Sequence, residues 1–218
     1  MSRKTINVVQ LLSRPSRLAR SSWLVGALAG AALLVAPGAS AQAALISTSA
    51  CNGAALSSPF NAWGDSNTYE LAQGGDFEGS LSGWTLSGGA AKVAGSEPFA
   101  ATGSAGSSSL YLPAGASVQS PFTCVNAAYP IFRFFGKNEG LLSTVVVSVV
   151  YKLPLLGEVS VPVGAVALSG TWSPTLPMLT ASAVTGLLSG GTTQVALRFT
   201  ALTGASQIDD VFIDPRCR

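Results

Sequence analysis

Gly75-Asp76-Phe77-Glu78, followed by Gly83-Trp84, and Ile208-Asp209-Asp210-Val211-Phe212-Ile213 lie towards opposite ends of a 218-residue chain. Each motif sets carboxylates inside an apolar, strand-like run. Only 10% of the chain is charged, so the placement is not the overflow of a charge-rich composition. Strands disfavour carboxylates unless something satisfies them. A cation held between the first and last strands is the economical explanation, and a catalytic carboxylate pair is its rival. The cation reading brings the two ends of a sheet together.

Between these motifs, short runs rich in Val, Phe, Thr and Leu alternate with Gly, Ser and Pro. Strands are expected at 69–72, 83–86, 90–94, 108–112, 117–123, 131–137, 143–152, 158–163, 171–178, 193–200 and 207–213. Short strands with turn signals every ten residues or so predict an all-β sandwich or barrel. Alternation assigns faces. Val195, Leu197 and Phe199 share one side of their strand, with Gln194, Ala196, Arg198 and Thr200 on the other. Val145, Val147, Val149 and Tyr151 oppose Val146, Ser148, Val150 and Lys152, a pattern expected of a strand covered on both faces. Phe132 and Phe134 oppose Arg133 and Phe135. The Gly/Ser/Ala stretch 100–109 reads as a loop, and 180–188 holds the one weak helix signal.

Residues 1–41 have a different character. Arg3, Lys4, Arg14, Arg17 and Arg20 precede an unbroken small-apolar run, 24–35, and Ala39-Ser40-Ala41 follows a Pro-Gly break. A basic start, a short apolar core and small residues at the cut predict a secretory signal peptide. The run is shorter than a membrane span requires, and no anchor is expected in residues 42–218. Removing residues 1–41 turns the formal net charge from +2 to −3. No basic run survives, which excludes a nucleic-acid footprint. Residues 42–68 read as an extended lead-in and 69–218 as one domain, in a protein released or held at a bacterial cell envelope.

Three cysteines follow, at 51, 124 and 217. An exported chain should oxidise the even part of that number. Cys51 with Cys124 is the expected pair, tying the lead-in to the domain and contributing about 4 kcal/mol in the chain-entropy treatment. Catalytic chemistry is sparse. The chain has no histidine, which removes Ser-His-Asp and Cys-His nucleophiles and the usual general base near neutrality. No G-x-S-x-G turn is present. Glu97, Glu139 and Glu158 stand beside Pro or Gly and read as solvated charges at loops and strand ends. An enzyme is not expected.

The order of motifs carries a resemblance: Gly-Asp-Phe-Glu (75–78), Gly-Trp-Thr (83–85), Phe-Arg-Phe-Phe (132–135), Thr-Trp (171–172), Ala-Leu-Arg-Phe (196–199) and Ile-Asp-Asp-Val (208–211). The chain resembles the β-jelly-roll carbohydrate-binding modules of the galactose-binding-like superfamily over about residues 70–214. The resemblance implies a jelly-roll β-sandwich of two antiparallel sheets. It also implies a structural calcium, with Glu78 and Asp209 or Asp210 as its carboxylates and backbone carbonyls completing six to eight oxygens. Sugar binding would fall to planar polar groups on a sheet face: Arg133, Arg198, Tyr151 and Gln194, with Lys152 and Tyr129 nearby. Trp84, Trp172, Phe132, Phe134, Phe199 and Phe212 are expected to pack. Two functions follow: a secreted, non-catalytic module for an extracellular glycan, or an exported structural protein that binds a surface protein or its own kind.

Overall fold

The valine-rich run 143–153 shows how the sandwich closes. In a computed structural model of the chain, which describes residues 54–126, 131–153, 156–179 and 192–214, this run forms strand β8 (Ser143–Leu153). Val145, Val147, Val149 and Tyr151 all point into the main core. The opposite row is also sheltered at its centre, because Val150 is buried and Ser148 nearly so. Chain contacts separate residues 1–41 from residues 42–218, and every described residue belongs to the second unit. The predicted signal peptide, the 180–188 helix, Tyr129, Cys51 and Cys217 therefore lie outside the described residues.

Two antiparallel sheets form the sandwich. One contains β2 (Thr85–Ser87), β5 (Ser117–Gln119), β12 (Thr192–Thr203), β8 and β9 (Gly157–Leu168) in that spatial order, with β6 (Thr123–Asn126) also beside β12. The other runs β10 (Ser173–Pro174), β7 (Ile131–Asn138), β13 (Ser206–Asp214), β4 (Ser108–Leu112) and β3 (Ala91–Ala94). In that sheet β1 (Glu70–Leu71) pairs with β13, and β11 (Met178–Leu179) pairs with β7. Consecutive strands repeatedly fall in different sheets, which is the jelly-roll arrangement expected from the sequence. Their inner faces meet where Phe134 of β7 packs edge-on against Phe199 of β12, ring centres 5.0 Å apart. Each fully buried residue of this size contributes about 1.5–3 kcal/mol of transfer free energy.

A second core lies outside the seven-stranded sheet. Phe135 and Phe212 leave its outer face and are roofed by Phe60 and Tyr69. The roof is the loop 57–69, pinned at its ends by Ser57 N–H to Tyr69 O (2.9 Å) and Tyr69 N–H to Ser57 O (2.7 Å). A 3-10 turn, Asn61–Trp63, closes on Gly64, whose φ of 76° is one that glycine adopts without steric cost. The lead-in expected to be merely extended is, from residue 57, a packed strap.

The two opening motifs do meet, but not as two strands. Residues 73–76 form a turn. Phe77, at φ 54°, is driven into the core against Trp84, 5.0 Å between ring centres. The Trp84 indole N–H donates to Gln73 O at 2.8 Å. β13 carries a bulge between Asp209 and Phe212, and Asp210 there has φ 45°. Into that bulge fits the turn: Ala72 N–H donates to Val211 O (2.8 Å) and Val211 N–H to Gly75 O (3.0 Å). A β-carbon on Gly75 would stand 3.0 Å from both Ala72 O and Val211 O. Glycine is therefore needed for this close approach. The clasp between the ends is made by backbone.

Candidate functional site

The carboxylates around the bulge divide by what satisfies them. Asp209 is fully buried. Its Oδ2 accepts from Ser96 Oγ–H (2.7 Å) and Glu97 N–H (2.9 Å), and its Oδ1 accepts from Asp210 N–H (2.9 Å). Burial still pushes its pKa up to about 7, with the nearby Glu97 charge adding to the rise. Glu97 is turned inward and almost wholly buried, not solvated as its Pro neighbour implied. Its carboxylate accepts the N–H groups of Phe99 and Ala101 (2.8 Å for the latter). Asp210 is buried too; its side chain shares a hydrogen bond with the Glu97 carboxyl, and among the described residues no N–H donates to it. Burial raises its pKa, and the charges of Asp209, Glu97 and Asp76 raise it further.

Glu78 stands apart. It is exposed, and its oxygens accept from Ser107 N–H (2.6 Å), Ser107 Oγ–H (2.7 Å) and Ser108 N–H (2.8 Å). The Ser107 bonds lead in holding its pKa below the usual carboxylate value. Ser96 lies between it and Asp209: a β-carbon on Gly106 would collide with Ser96 Oγ and stand 2.8 Å from Glu78 Oε1. Glu78, Asp209 and Asp210 are thus neighbours but do not share one centre. Among the described residues no three acids or cysteines converge as a metal cage.

The four residues expected to bind sugar separate as well. Arg133 is buried under the strap. Its Nε–H donates to Thr175 O (2.7 Å), its Nη1 pairs with Asp65 Oδ2 (2.8 Å), and its guanidinium lies 4.1 Å over the Phe60 ring. Burial alone would raise the Asp65 pKa, but hydrogen bonds from Tyr69, Asn67 N–H and Arg133 outweigh it and hold the value low. Burial and the bond to Asp65 raise the pKa of Tyr69 above its ordinary range. Tyr151 is 2% exposed in the main core. Neither Arg133 nor Tyr151 is presented to a ligand, because each faces an apolar layer that encloses it.

Arg198 and Gln194 do reach the outer face of the six-stranded sheet. Arg198 donates through Nε (3.1 Å) and Nη2 (2.6 Å) to Gln119 Oε1 on the neighbouring strand, its direct register partner. Gln119 Nε2 in turn lies 3.4 Å from Glu158 Oε2. Register places Ser117, Ser148 and Thr200 on the same face. Gln194 is exposed beside a cavity of about 360 Å³ that Glu70, Gln73, Phe122 and Thr123 also line. Lys152 reaches over Phe122, 5.5 Å from ring centre. Gln119 was not singled out from the sequence, and Glu158 was read only as a solvated charge, although alternation alone puts Gln119 beside a partner strand's outward residue. Cys124 lies on β6, and its pairing with Cys51 remains the expectation from the sequence.

No protein-family model and no curated protein sequence matches the chain. Among solved structures it is similar to the CBM22-1–GH10 modules of Clostridium thermocellum endo-1,4-beta-D-xylanase 10B, complexed with xylohexaose. That pair shares 17% identity over 65% of this chain and 28% of the other, at a TM-score of 0.48. It is similar too to the CBM22-1 xylan-binding domain of Paenibacillus barcinonensis Xyn10C, with 15% identity over 66% and 93% of the two chains, TM-score 0.46. A third likeness is to TmCBM61 in complex with beta-1,4-galactotriose, with 17% identity over 67% and 98%, TM-score 0.42.

Proposed function

We propose that the chain is an exported, non-catalytic module that binds an extracellular glycan on the outer face of its six-stranded sheet. The observation that carries this reading is the Arg198–Gln119 pair. A half-exposed guanidinium is held by two bonds to a side chain on the next strand, on an open face bearing Ser117, Thr200, Glu158 and Gln194. Such a group has little rotamer freedom left to lose on binding, and its remaining N–H donors suit sugar hydroxyls. The buried acids serve the fold: Asp209 and Glu97 spend their oxygens on loop N–H groups, and no histidine accompanies them. Pull-down on insoluble polysaccharides tests the reading, with Arg198→Ala expected to abolish retention.

A structural calcium belongs to the same proposal. Asp210 is the carboxylate that fits one, since it is buried, hydrogen-bonded to the Glu97 carboxyl, and takes no N–H donor among the described residues. Asp210 would hold the ion, Glu97 adding the lone pairs that its two loop N–H bonds leave over, with backbone carbonyls making up the oxygen number. Asp209 would orient the bulge, and Glu78 would secure the adjacent 106–108 segment without ligating. Thermal melting in calcium and in chelator checks this: equal midpoints would remove the ion from the account.

A second reading, self-association or attachment to a surface protein, is favoured by one observation. Leu141 and Leu142, in the β7–β8 connection, and Leu202, near the end of β12, are 98%, 80% and 61% exposed, and the Glu139 N–H to Ala205 O bond ties the two segments together. Exposed apolar clusters of this kind mark interaction surfaces. Under this reading sedimentation shows oligomers that Leu141→Ser with Leu142→Ser dissolves; a monomer at every concentration rules it out.

A further inference from the structure

Arg198 is half-buried, and among the described residues no carboxylate lies within ion-pair distance of it. Its two bonds go to one neutral atom, Gln119 Oε1, from Nε (3.1 Å) and Nη2 (2.6 Å). Those two donors form the side edge of the guanidinium. The end edge, made by Nη1–H and the second Nη2–H, has no protein acceptor among the described residues. Charges withdrawn from water ordinarily pair, as Arg133 does with Asp65. The nearest candidate counter-ion is otherwise engaged. Gln119 Nε2–H points at Glu158 Oε2 (3.4 Å), which orients the amide and leaves Oε1 for Arg198. Glu158 thus positions Gln119 and does not itself bond the guanidinium.

The fold also segregates its charges. Among the described residues Glu158 is the one acid on the strands of the six-stranded sheet, whereas the seven-stranded sheet has Glu70, Asp209, Asp210 and Asp214. Lys152 joins Arg198 on the six-stranded side, with its Nζ over the Phe122 ring and no carboxylate within ion-pair distance among the described residues. Two cations against one engaged acid leave this face positive. A neutral sugar gains less from it. The outward neighbours of Arg198 in register are Gln119, Thr85 and Ser148, with Ser117 and Thr200 in the next row. None of these is aromatic, and a neutral hydroxyl bond largely replaces a bond to water. A carboxylate carried on the sugar is different. It is planar, its two oxygens match the end edge of a guanidinium, and charge-assisted bonds of this kind are roughly twice as strong as neutral ones.

We propose, resting on the Arg198 face as the glycan site, that its ligand is an acidic glycan whose uronate carboxylate seats on the end edge of the Arg198 guanidinium and supplies the missing counter-ion. Affinity electrophoresis of the purified protein tests it, in gels holding polygalacturonate, alginate, the esterified form of each, xylan or dextran sulfate. At least one of the two uronate polymers should retard the wild type, and its ester should do so at least about tenfold more weakly. That comparison needs no variant and so no assumption about folding. Arg198→Ala should abolish the retardation. Lys137→Ala, which removes a cation paired with Glu139 on the other sheet, should leave it unchanged. Equal retardation by acid and ester, retardation by xylan alone, or an equal loss in Lys137→Ala would overturn the uronate and leave a glycan site that reads hydroxyls. Dextran sulfate retarding the protein as strongly as the uronate polymers would overturn the carboxylate in favour of charge alone. No retardation by any polymer would overturn the glycan site together with its acidic ligand.

Discussion

The two outer faces of the sandwich each carry a strand arginine, and the arginines meet opposite fates. Arg133, on the seven-stranded sheet, lies under the 57–69 strap, with its Nη1 on Asp65 and its Nε on Thr175 O. Arg198, on the six-stranded sheet, is roofed by no described segment and is tied, among the described residues, to Gln119. The difference is made by the strap before the first strand, where residues 57–69 supply Phe60, Asp65 and Tyr69 to the seven-stranded face. A buried charge with a partner belongs to the fold, whereas a positioned charge on an open face is free to meet a ligand.

The comparison breaks most visibly at Arg133. Arg133→Ala leaves the partly buried Asp65 beside an apolar cluster without its counter-ion; removal of one member of a fully buried pair costs about 3–5 kcal/mol, and the partial exposure of Asp65 puts the expected loss at about 2–3 kcal/mol. Denaturant unfolding should show a loss of that size. A change below about 1 kcal/mol would mean that the strap contributes little. Arg198→Ala, by contrast, should alter stability by no more than about 0.5 kcal/mol, the usual range for surface substitutions.

The bulge gives an effect of intermediate size. Burial holds the pKa of Asp209 near 7, above the unfolded value of 3.8, and raises that of Asp210 as well. The folded chain therefore binds more protons than the unfolded chain from about pH 4 to about pH 7. Its stability in chelator should fall as pH rises through that window, because the buried carboxylates lose protons that they keep on folding. Calcium should recover the loss at pH 8 and add little at pH 5. Melting midpoints at the two pH values, with and without calcium, give the answer; the same pH slope in both conditions would leave the proton, not the ion, as the balancing charge.

The sandwich was legible because its strands alternate with a period of two, and because a row such as Val145, Val147, Val149 and Tyr151 admits one inward face. That same row hid the error over Tyr151, whose hydroxyl invites a ligand role while its ring follows the valines inward. Arg133 misled for a related reason. Alternation correctly put it on an outer face, but the residue that covers it, Asp65, lies 68 positions earlier in sequence. Glu97 sits 112 positions from Asp209, and nothing local marks it as buried. The strap left one readable trace: Phe60, Trp63 and Tyr69 are large aromatics in a stretch otherwise small and polar. The acidic motifs pointed correctly to the meeting of the two chain ends. The contact itself is made by Gly75 and Val211 through their backbones, which no side-chain pattern announces.

The central claim, that the open six-stranded face binds glycan, is tested most directly by retention of the purified protein on insoluble polysaccharides, alongside Arg198→Ala and Gln119→Ala. Both variants should unfold at the wild-type denaturant midpoint and yet pass through a matrix that retains the wild type. Retention of both variants on the same matrix as the wild type, or retention of none of the three on any polysaccharide, would contradict it.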